Sequence, residues 1–462
     1  MRRAPVTMIT SVSPDFELPG VVLPDGGVEM TNAGSLPIIR LPNGSICYFA
    51  NMFVFELYSR GYSLINNGGT VRAYLSLLSH IIQYAYNNQI SFLHFTDNRF
   101  QHFMLTLKAV SADGSKLRSE NQQIDIIFMS LDFLEFIGTH VGRENFVGKT
   151  GVIRAERILP NGNYNDAPYS SRSRWTIENL PRSSDPGHGV AIGFDALKAL
   201  KEATCKSSSS FLSQRNFLII EMMEASGSRR GETAPIMVAD ILDALNNFSS
   251  PNGLTLTTLK HGQLEYREVT VPRSTLEIAH EYIKNSRRIV IKKTIGKSND
   301  HGFLFISART GKPLCTNYIT NIFSKLRKDS GITEKAHPHQ LRHLFAQNRS
   351  NDYTLLLESG LNTATHSPNR RDNMRRRKLK QQLGHHGDQS PDHYIQQAED
   401  ELSNLSLSDK LVAREQALRK HSDQIRAMQK FSEQMTSRQF RDFSQRMLAA
   451  MLDDLGENHP PV

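Results

Sequence analysis

Two stretches in the second half of the chain decide how the rest is interpreted: HPHQLRHLFA (337–346) and LGHHGDQSPDHY (383–394). The first has helical character and holds His339 and Arg342 three residues apart. The second places a histidine nine residues before Tyr394. A His-x-x-Arg pair occurs by chance in many chains, and a lone tyrosine on a helix is usually a packing residue. Each stretch gains meaning only from what accompanies it.

Working outward from these stretches, two earlier segments complete the pattern. SGSRRGET (226–233) sets Arg229 and Glu232 three residues apart at the end of an apolar helical run. LTLTTLKHGQLEYREVTV (254–271) alternates apolar and polar residues on both sides of a His-Gly pair, which predicts a β-hairpin with Lys260 at its tip. Taken singly, an Arg-Glu pair is usually an exposed helix pair and a hairpin lysine is usually solvated.

Together and in this order, the four segments resemble the signature of the tyrosine recombinase, or phage integrase, family. SGSRRGET is similar to the family's T-G-x-R-x-x-E box, HPHQLRHLFA to its T-P-H-x-L-R-H-x-F box, and LGHHGDQSPDHY to its L-G-H box ending in the tyrosine. FLFISARTGKPL (303–314) resembles the strand and turn that precede the H-x-x-R helix. The resemblance covers about 190–400 and, more loosely, 46–140.

The resemblance implies a set of six catalytic residues, assigned one by one to matching positions. They are Arg229, Lys260, His339, Arg342, His385 and Tyr394. Arg230 is a rival for the first position, but the three-residue spacing to Glu232 favours Arg229. The implied activity is breakage and rejoining of DNA strands through a 3′-phosphotyrosyl intermediate. The implied substrate is double-stranded DNA, the implied assembly is a tetramer of chains that are monomeric when free, and no cofactor is expected.

The residue types suit this chemistry. A planar guanidinium can hold two non-bridging phosphate oxygens through the transition state, which a lysine ammonium cannot reproduce. A tyrosine phenol has an ordinary pKa of ~10, so it needs help to lose its proton at neutral pH. The resemblance gives that role to His339, gives Lys260 the protonation of the leaving 5′-oxygen, and gives His385 a hydrogen bond to the phosphate.

Composition agrees with a DNA-binding protein of several domains. The chain has 462 residues, a formal charge of +9 and 39% hydrophobic residues, which fits two or three packed domains and a polyanionic partner. Its three cysteines are far apart, and no apolar run approaches the ~20 residues of a membrane span. We therefore expect a cytoplasmic protein at the bacterial nucleoid that has no membrane partner; accessory DNA-bending proteins are further candidate partners.

The predicted fold class is multidomain and mainly α. Helical patterns are strongest over 71–85 and 120–137, whereas 141–190 is rich in Gly, Asn, Pro, Ser and Arg. The predicted order is an irregular lead with one short strand (1–45), a helical core-binding domain (46–140), a linker (141–190), an α+β catalytic domain with a small antiparallel sheet (191–405), and a long helical C-terminal tail (406–462).

Two basic segments are candidate DNA contacts. The spacing from Arg342 to His385 is longer than expected for the family, and the excess, at about 350–380, includes NRRDNMRRRKLKQ. Phosphate binding and a solvated basic loop are both consistent with this insertion, as with the arginines of the linker. The residues concerned are Arg172, Arg174, Arg370, Arg371, Arg375, Arg376, Arg377, Lys378 and Lys380.

Three other functions fit parts of the pattern. A catalytically silent DNA-binding accessory protein would share the fold. A metal-dependent nuclease could use a histidine-rich set, namely His337, His339, His385, His386 and His393. A type IB topoisomerase-like enzyme shares the chemistry, although the separate helical N-terminal domain favours recombination. Integration or excision of a mobile element is the context that the family resemblance implies.

The C-terminal tail carries an apolar face that must be buried against something. Leu411, Leu418 and Ile425 step by seven residues, and a further apolar face runs from Phe440 to Leu455. Because members of the family pass a C-terminal segment to a neighbouring subunit, we expect this tail to dock on another protomer once DNA is bound and to help regulate Tyr394. Folding of the tail on its own catalytic domain is the alternative.

Overall fold

The protein was analysed as a computed structural model that divides into two compact units, Met1–Gly187 and His188–Val462. The residues it describes are 8–112, 114–158, 174–183, 190–246, 252–260, 263–358, 376–377, 409–433 and 435–455. Both units are mostly helical with small, mainly antiparallel sheets. The predicted fold class is therefore confirmed. Within the described ranges, no helix has the length and apolar composition needed to cross a bilayer.

In the described part of the first unit, four helices surround one apolar core. They are α1 (Tyr48–Ser59), α2 (Ile65–Asn87), α3 (Asp97–Leu107) and α4 (Glu120–His140), with a short 3-10 turn at Phe92–His94. The hydroxyls of Thr96 and Ser119 accept hydrogen bonds from the first turns of α3 and α4 and so define where these helices begin. The apolar stripe predicted on α2 is buried, with Val71, Leu75 and Leu78 fully inaccessible.

Strands from both flanks complete this unit, which corrects the predicted boundaries. The lead forms β1 (Ile9–Ser11), β2 (Glu17–Val22), β3 (Val28–Asn32) and β4 (Pro37–Ile39), with β1 antiparallel to β4 and β2 antiparallel to β3. The supposed linker holds β5 (Val147–Gly148), β6 (Ile153–Ile158) and β7 (Arg174–Ile177), which form one three-stranded sheet.

These strands belong to the domain because they supply core side chains. Ile39, Ile153 and Trp175 are buried in the same apolar cluster as the helices. The prediction of a linker relied on composition. Gly, Pro and Ser are common in linkers, but they are equally common in the turns between very short strands. Of the linker, residues 159–173 and 184–189 lie outside the described part, so Arg172 does too, and only the backbone of Arg174 is described.

A polar contact fastens the end of this sheet to α4. The Trp175 indole donates to Asp132 at 2.8 Å, and Arg157 donates to the same carboxylate at 2.9 Å. The Arg157 guanidinium also stacks over the Trp175 ring, 4.5 Å from its centroid. Burial raises the pKa of Asp132, and the hydrogen bonds from Trp175 and Arg157 offset part of this increase. Strands β6 and β7 are thus tied to α4 by both packing and charge.

The second unit begins with α5 (Phe194–Cys205) and α6 (Ser210–Ser226), followed by a one-turn helix α7 (Arg230–Thr233) and α8 (Val238–Asn246). Next come the strands β8 (Gly253–Lys260) and β9 (Gln263–Thr270), then α9 (Arg273–Glu281), a π-helical turn (Tyr282–Arg287), α10 (Arg288–Thr294) and a 3-10 turn (Lys297–Asn299). Further along the described chain lie the helices α11 (Thr316–Ser330), α12 (Pro338–Glu358), α13 (Asp409–Ser432) and α14 (Ser437–Asp454).

The two strands of the predicted hairpin are present. Strands β8 and β9 pair antiparallel, and Lys260 lies opposite Gln263, so two residues form the connection. Leu254 and Leu256 on β8 and Val269 on β9 are buried. The alternation of apolar and polar residues in the sequence therefore identifies the face of the hairpin that packs on the core.

The C-terminal tail packs on its own catalytic unit in the single chain, and its docking on another protomer once DNA is bound stays a prediction. Ala427 and Phe431 of α13 are buried in the same apolar cluster as α5 and α6. Phe443, Met447 and Met451 of α14 belong to that cluster as well. The apolar face that periodicity revealed is thus covered within the chain.

Polar contacts fix the register of both tail helices. Gln424 of α13 donates to the buried carboxylate of Glu221 at 3.2 Å. Arg446 of α14 donates to Glu281 at 2.7 Å. The Asp454 carboxylate accepts hydrogen bonds from the first backbone N–H groups of α9, at 2.7 and 3.0 Å. These N–H groups have no partner within their helix, and a carboxylate is favoured at that end of its dipole.

Under α13 lies a buried ion cluster. Lys201 of α5 is 3% exposed and lies 2.6 Å from Glu221 and 2.7 Å from Glu224, both on α6. Burial alone would lower the pKa of Lys201, but the two carboxylates hold it above its ordinary value. Asp423 of α13 lies 3.9 Å from the same ammonium. The tail therefore covers charges as well as apolar side chains.

A matched pair of substitutions on α14 tests whether the tail is part of the core. Phe443 is fully buried, whereas Leu448 is 58% exposed. Phe443→Ala should lower the stability of the second unit by ~3–5 kcal/mol, because it leaves a cavity, whereas Leu448→Ala should cost well under ~1 kcal/mol. Chemical denaturation of the full-length variants measures both values. Equal, small effects would mean that α14 does not pack where the structure places it.

Candidate active site

The candidate site starts where α6 ends and α7 begins. Arg229 immediately precedes α7, and its backbone N–H donates to the Glu232 carboxylate at 2.8 Å. The Arg229 guanidinium reaches the same carboxylate at 3.3 Å. A glutamate at the third position of a helix commonly folds back in this way. The Arg-x-x-Glu spacing is thus a local capping device that orients Arg229.

Glu232 is the centre of a cluster of arginines. Its side chain is 2% exposed and accepts a hydrogen bond from Arg267 of β9 at 2.9 Å. Arg342 of α12 approaches within 3.8 Å. A carboxylate this deeply buried requires compensating charge, and the three guanidinium groups provide it. The cluster joins α7, the hairpin and α12.

Arg342 is held from a second side by the end of α6. Its Nη1 donates to the backbone carbonyl of Gly227 at 2.8 Å. Gly227 has φ +59°, and a Cβ there would lie 2.3 Å from the Phe345 ring. Only glycine satisfies both the left-handed conformation and this close approach. Phe345 is three residues after Arg342, so the same helix contacts this turn twice.

His339 lies at the start of α12. Pro338 is the first helical residue, a position where its lack of an N–H costs nothing. The His339 ring packs edge-on against His343 at 4.5 Å between centroids. Burial lowers the pKa of His339, and the charges of Arg342, His337 and Arg229 lower it further. The imidazole is therefore neutral at pH 7 and can accept a proton.

The structure thus brings together three of the six predicted catalytic residues: Arg229, His339 and Arg342. Lys260 is the last residue of β8; its backbone position is described, but its side chain is not. Arg230, the rival to Arg229, donates to Thr320 of α11 at 2.8 Å and is exposed.

The remaining predicted residues lie outside the described ranges. They include the late histidine His385 and the proposed nucleophile Tyr394. Of the basic insertion, only Arg376 and Arg377 are described, and both are exposed. The other members, Arg370, Arg371, Arg375, Lys378 and Lys380, are not described. Among described residues, no group of three potential metal-ligating side chains was found.

Sequence reasoning missed Arg267, although a signal for it exists. Arg267 lies two residues before the buried Val269 on β9, so both side chains belong to the inward face of the hairpin. Its side chain is only 8% exposed. A charged residue in phase with buried apolar residues indicates a buried partner of opposite charge. That partner is Glu232.

Comparison with known proteins agrees with the motifs. Residues 192–363 match the model of the phage integrase family. This match confirms the resemblance of these residues to the tyrosine recombinases. The matched range contains Arg229, His339 and Arg342 and ends before His385 and Tyr394.

The chain is also similar to bacterial tyrosine recombinases named XerC. It is 32% identical over 151 residues to the protein from Pediococcus pentosaceus, covering 33% of this chain and 44% of the relative. It is 29% identical over 178 residues to the one from Oceanobacillus iheyensis, covering 38% and 52%. The chain therefore spans about half the length of these relatives.

Among solved structures, lambda integrase (residues 75–356) bound to DNA is similar at a TM-score of 0.45 and 16% identity. This likeness covers 78% of this chain and 98% of that one.

Glu232→Gln tests whether the carboxylate organises the site. The variant leaves buried guanidinium groups without their counter-charge, so it should destabilise the second unit by ~3–5 kcal/mol. Glu433→Gln is the matched control: it removes a carboxylate from the exposed ion pair with Lys430, which is worth ~0–1 kcal/mol. Denaturant titrations of the two full-length variants give the comparison. A loss no larger at Glu232 than at Glu433 would contradict a structural role for the cluster.

Proposed function

We propose that this chain is a site-specific DNA recombinase that cleaves and rejoins DNA strands through a 3′-phosphotyrosyl intermediate. The observation that carries the proposal is the convergence of Arg229 and Arg342 on the buried Glu232, with His339 close enough to be affected by the charges of both arginines, inside a phage integrase domain. The proposed biological role is integration or excision of a mobile element, and the proposed location is wherever the cell holds its DNA.

The arginines supply the electrostatic part of the reaction. Attack on a phosphodiester places negative charge on the non-bridging oxygens, and Arg229 and Arg342 would hold these oxygens with paired N–H donors. Arg229 is 36% exposed, so its donors remain accessible to a substrate. Arg342 is almost completely buried and anchored to Gly227, which fixes its orientation before the substrate arrives. Such preorganisation is usually the largest catalytic contribution.

Proton transfer completes the first step. The Tyr394 phenol oxygen would attack phosphorus while its proton passes to the neutral His339 imidazole. The bond from phosphorus to the 5′-oxygen breaks, and Lys260 would give that oxygen its proton. His385 would hold a phosphate oxygen. Attack by another 5′-hydroxyl on the phosphotyrosine reverses every transfer, so the bond energy is conserved and strands are rejoined.

Double-stranded DNA is the proposed substrate, with four chains acting on two duplexes in a synaptic complex and accessory DNA-bending proteins as optional partners. The basic insertion and Arg172 and Arg174 remain proposed phosphate contacts. Each contact of this kind would strengthen binding to all sequences and increase its dependence on salt. Selection of a particular site would come from other residues that reach the base edges.

Tyr394→Phe tests the assignment of the nucleophile. The variant should form no covalent protein–DNA adduct and should retain DNA affinity, because only the phenol oxygen is lost. A nicked suicide substrate followed by a denaturing gel detects the adduct. An adduct in the variant would reassign the nucleophile. If the wild-type chain binds the substrate but forms no adduct, the protein is a DNA-binding member of the family that does not recombine.

Arg229→Lys and Arg230→Lys form a matched pair that tests the arginine assignment. Arg229→Lys should lower the cleavage rate by ~100-fold or more, because a point ammonium cannot make the paired contact. Arg230→Lys should change the rate less than ~3-fold, since its guanidinium contacts Thr320 rather than Glu232. Single-turnover cleavage of the same suicide substrate measures both. The opposite ranking would move the catalytic position to Arg230.

A further inference from the structure

A basic surface lies on elements that the candidate site does not use. Residues 282–299 run through the π-helical turn, α10 and the following 3-10 turn, and contain six basic residues and no acidic one. The five that are exposed define what we call the basic stripe: Lys284, Arg288, Lys292, Lys293 and Lys297. The sixth is Arg287.

Arg287 is paired with Asp300, the acid that follows the segment. It is 3% exposed, and its guanidinium donates to the Asp300 carboxylate at 2.7 Å and to the Phe303 carbonyl at 2.8 Å. Hydrogen bonds from Arg287 lower the pKa of Asp300 to about 2. Asp300 is therefore ionised and fully engaged by a buried partner. It leaves the charge of the stripe uncompensated from this side.

The backbone that carries the stripe is held in one conformation. The Arg287–Asp300 pair links the π-helical turn to the end of the segment. Where α10 ends, the Gly296 N–H donates to the Ile291 carbonyl at 2.9 Å. The Asn299 amide donates to the Ile295 carbonyl at 2.8 Å. The cations are thus displayed on a fixed support, which lowers the entropic cost of binding.

Charge repulsion makes the stripe costly as a purely structural feature. Arg288 and Lys292 are one turn apart on α10, and like charges at this spacing destabilise a helix. Among the described residues, none of the five stripe cations is in an ion pair. An anionic partner would relieve this repulsion along the whole stripe.

We propose that the basic stripe binds the phosphate backbone of duplex DNA, as a second contact surface outside the candidate active site. From Lys284 to Lys293 the helix rises ~14 Å, and one DNA strand offers a phosphate about every 3.4 Å along the axis. The stripe therefore matches about four phosphates. Its elements are distinct from α7 and α12, which carry Arg229, His339 and Arg342.

This surface recognises DNA without reading its sequence, because lysine and arginine contacts to phosphates carry no base information. The inference rests on the proposed function, because it assumes that the chain acts on DNA. It adds that the protein also binds the duplex that flanks the segment held at the active site. The effect of this surface is on affinity and on the length of DNA covered, and the chemistry of cleavage stays the same.

The test compares two full-length variants that lose the same charge. One replaces the stripe lysines by glutamine: Lys284→Gln, Lys292→Gln, Lys293→Gln and Lys297→Gln. The control replaces four lysines of α5, α11 and the turn after α5: Lys198→Gln, Lys206→Gln, Lys325→Gln and Lys328→Gln. Affinity for a long duplex that contains the cleavage site is measured against salt concentration by anisotropy. Cleavage of a short suicide substrate is measured alongside.

The stripe variant should flatten the plot of log affinity against log salt by up to ~3.6, since each phosphate contact contributes about 0.9 to the slope. The control should change it by less than half as much, and the short substrate should be cleaved by the stripe variant at the wild-type rate. An equal change in both variants would mean that only total charge matters. An unchanged slope would mean that the stripe makes no contact with phosphates, and either result overturns the proposal.

Two further outcomes separate this inference from the function on which it rests. If the stripe variant keeps the wild-type salt slope but loses self-association in native mass spectrometry without DNA, the surface binds protein and the inference is wrong. If wild-type protein neither binds nor cleaves DNA, the recombinase assignment fails as well. If the wild type and both variants cleave normally and the stripe variant keeps the wild-type salt slope, the inference about the stripe is wrong and the recombinase assignment stands.

Discussion

The second unit depends on one buried carboxylate. Glu232 has almost no contact with solvent, so its charge is tolerated only because arginines from three different elements surround it. Arg229 comes from the start of α7, Arg267 from β9 and Arg342 from α12. Segments more than a hundred residues apart in sequence are thereby fixed relative to one another. Two of the three guanidinium groups are those proposed to hold the phosphate.

This arrangement links stability to chemistry. The same contacts that compensate Glu232 leave Arg229 and Arg342 few alternative orientations, and the Gly227 carbonyl restricts Arg342 further. The positive charge around His339, together with its burial, keeps that imidazole neutral. A structural requirement, compensation of a buried acid, thus produces a preorganised cationic site with a proton acceptor beside it. The substrate phosphate would be a further anion in a place already built for one.

The features of the fold and the site that the sequence predicted are those whose residues lie close together in the chain. The Arg229–Glu232 spacing, the His339–Arg342 pair and the alternation of the hairpin strands are short-range patterns, and the structure contains all of them. Arg267 was missed because its partner, Glu232, is distant in sequence. The only signal was that Arg267 lies on the same face of β9 as buried apolar residues. The short strands of 1–45 and 141–190 were missed because their turn residues resemble a linker. Periodicity revealed the apolar face of the tail but could not say which surface covers it.

Packing of the tail on its own unit bears on the segment that holds His385 and Tyr394. That segment joins Glu358 at the end of α12 to Asp409 at the start of α13, and both helices belong to the second unit. The contacts of α13 and α14 therefore place the helix that follows this segment on the same unit as the arginine cluster, so that Glu232 and the tail contribute to the stability of one folded unit.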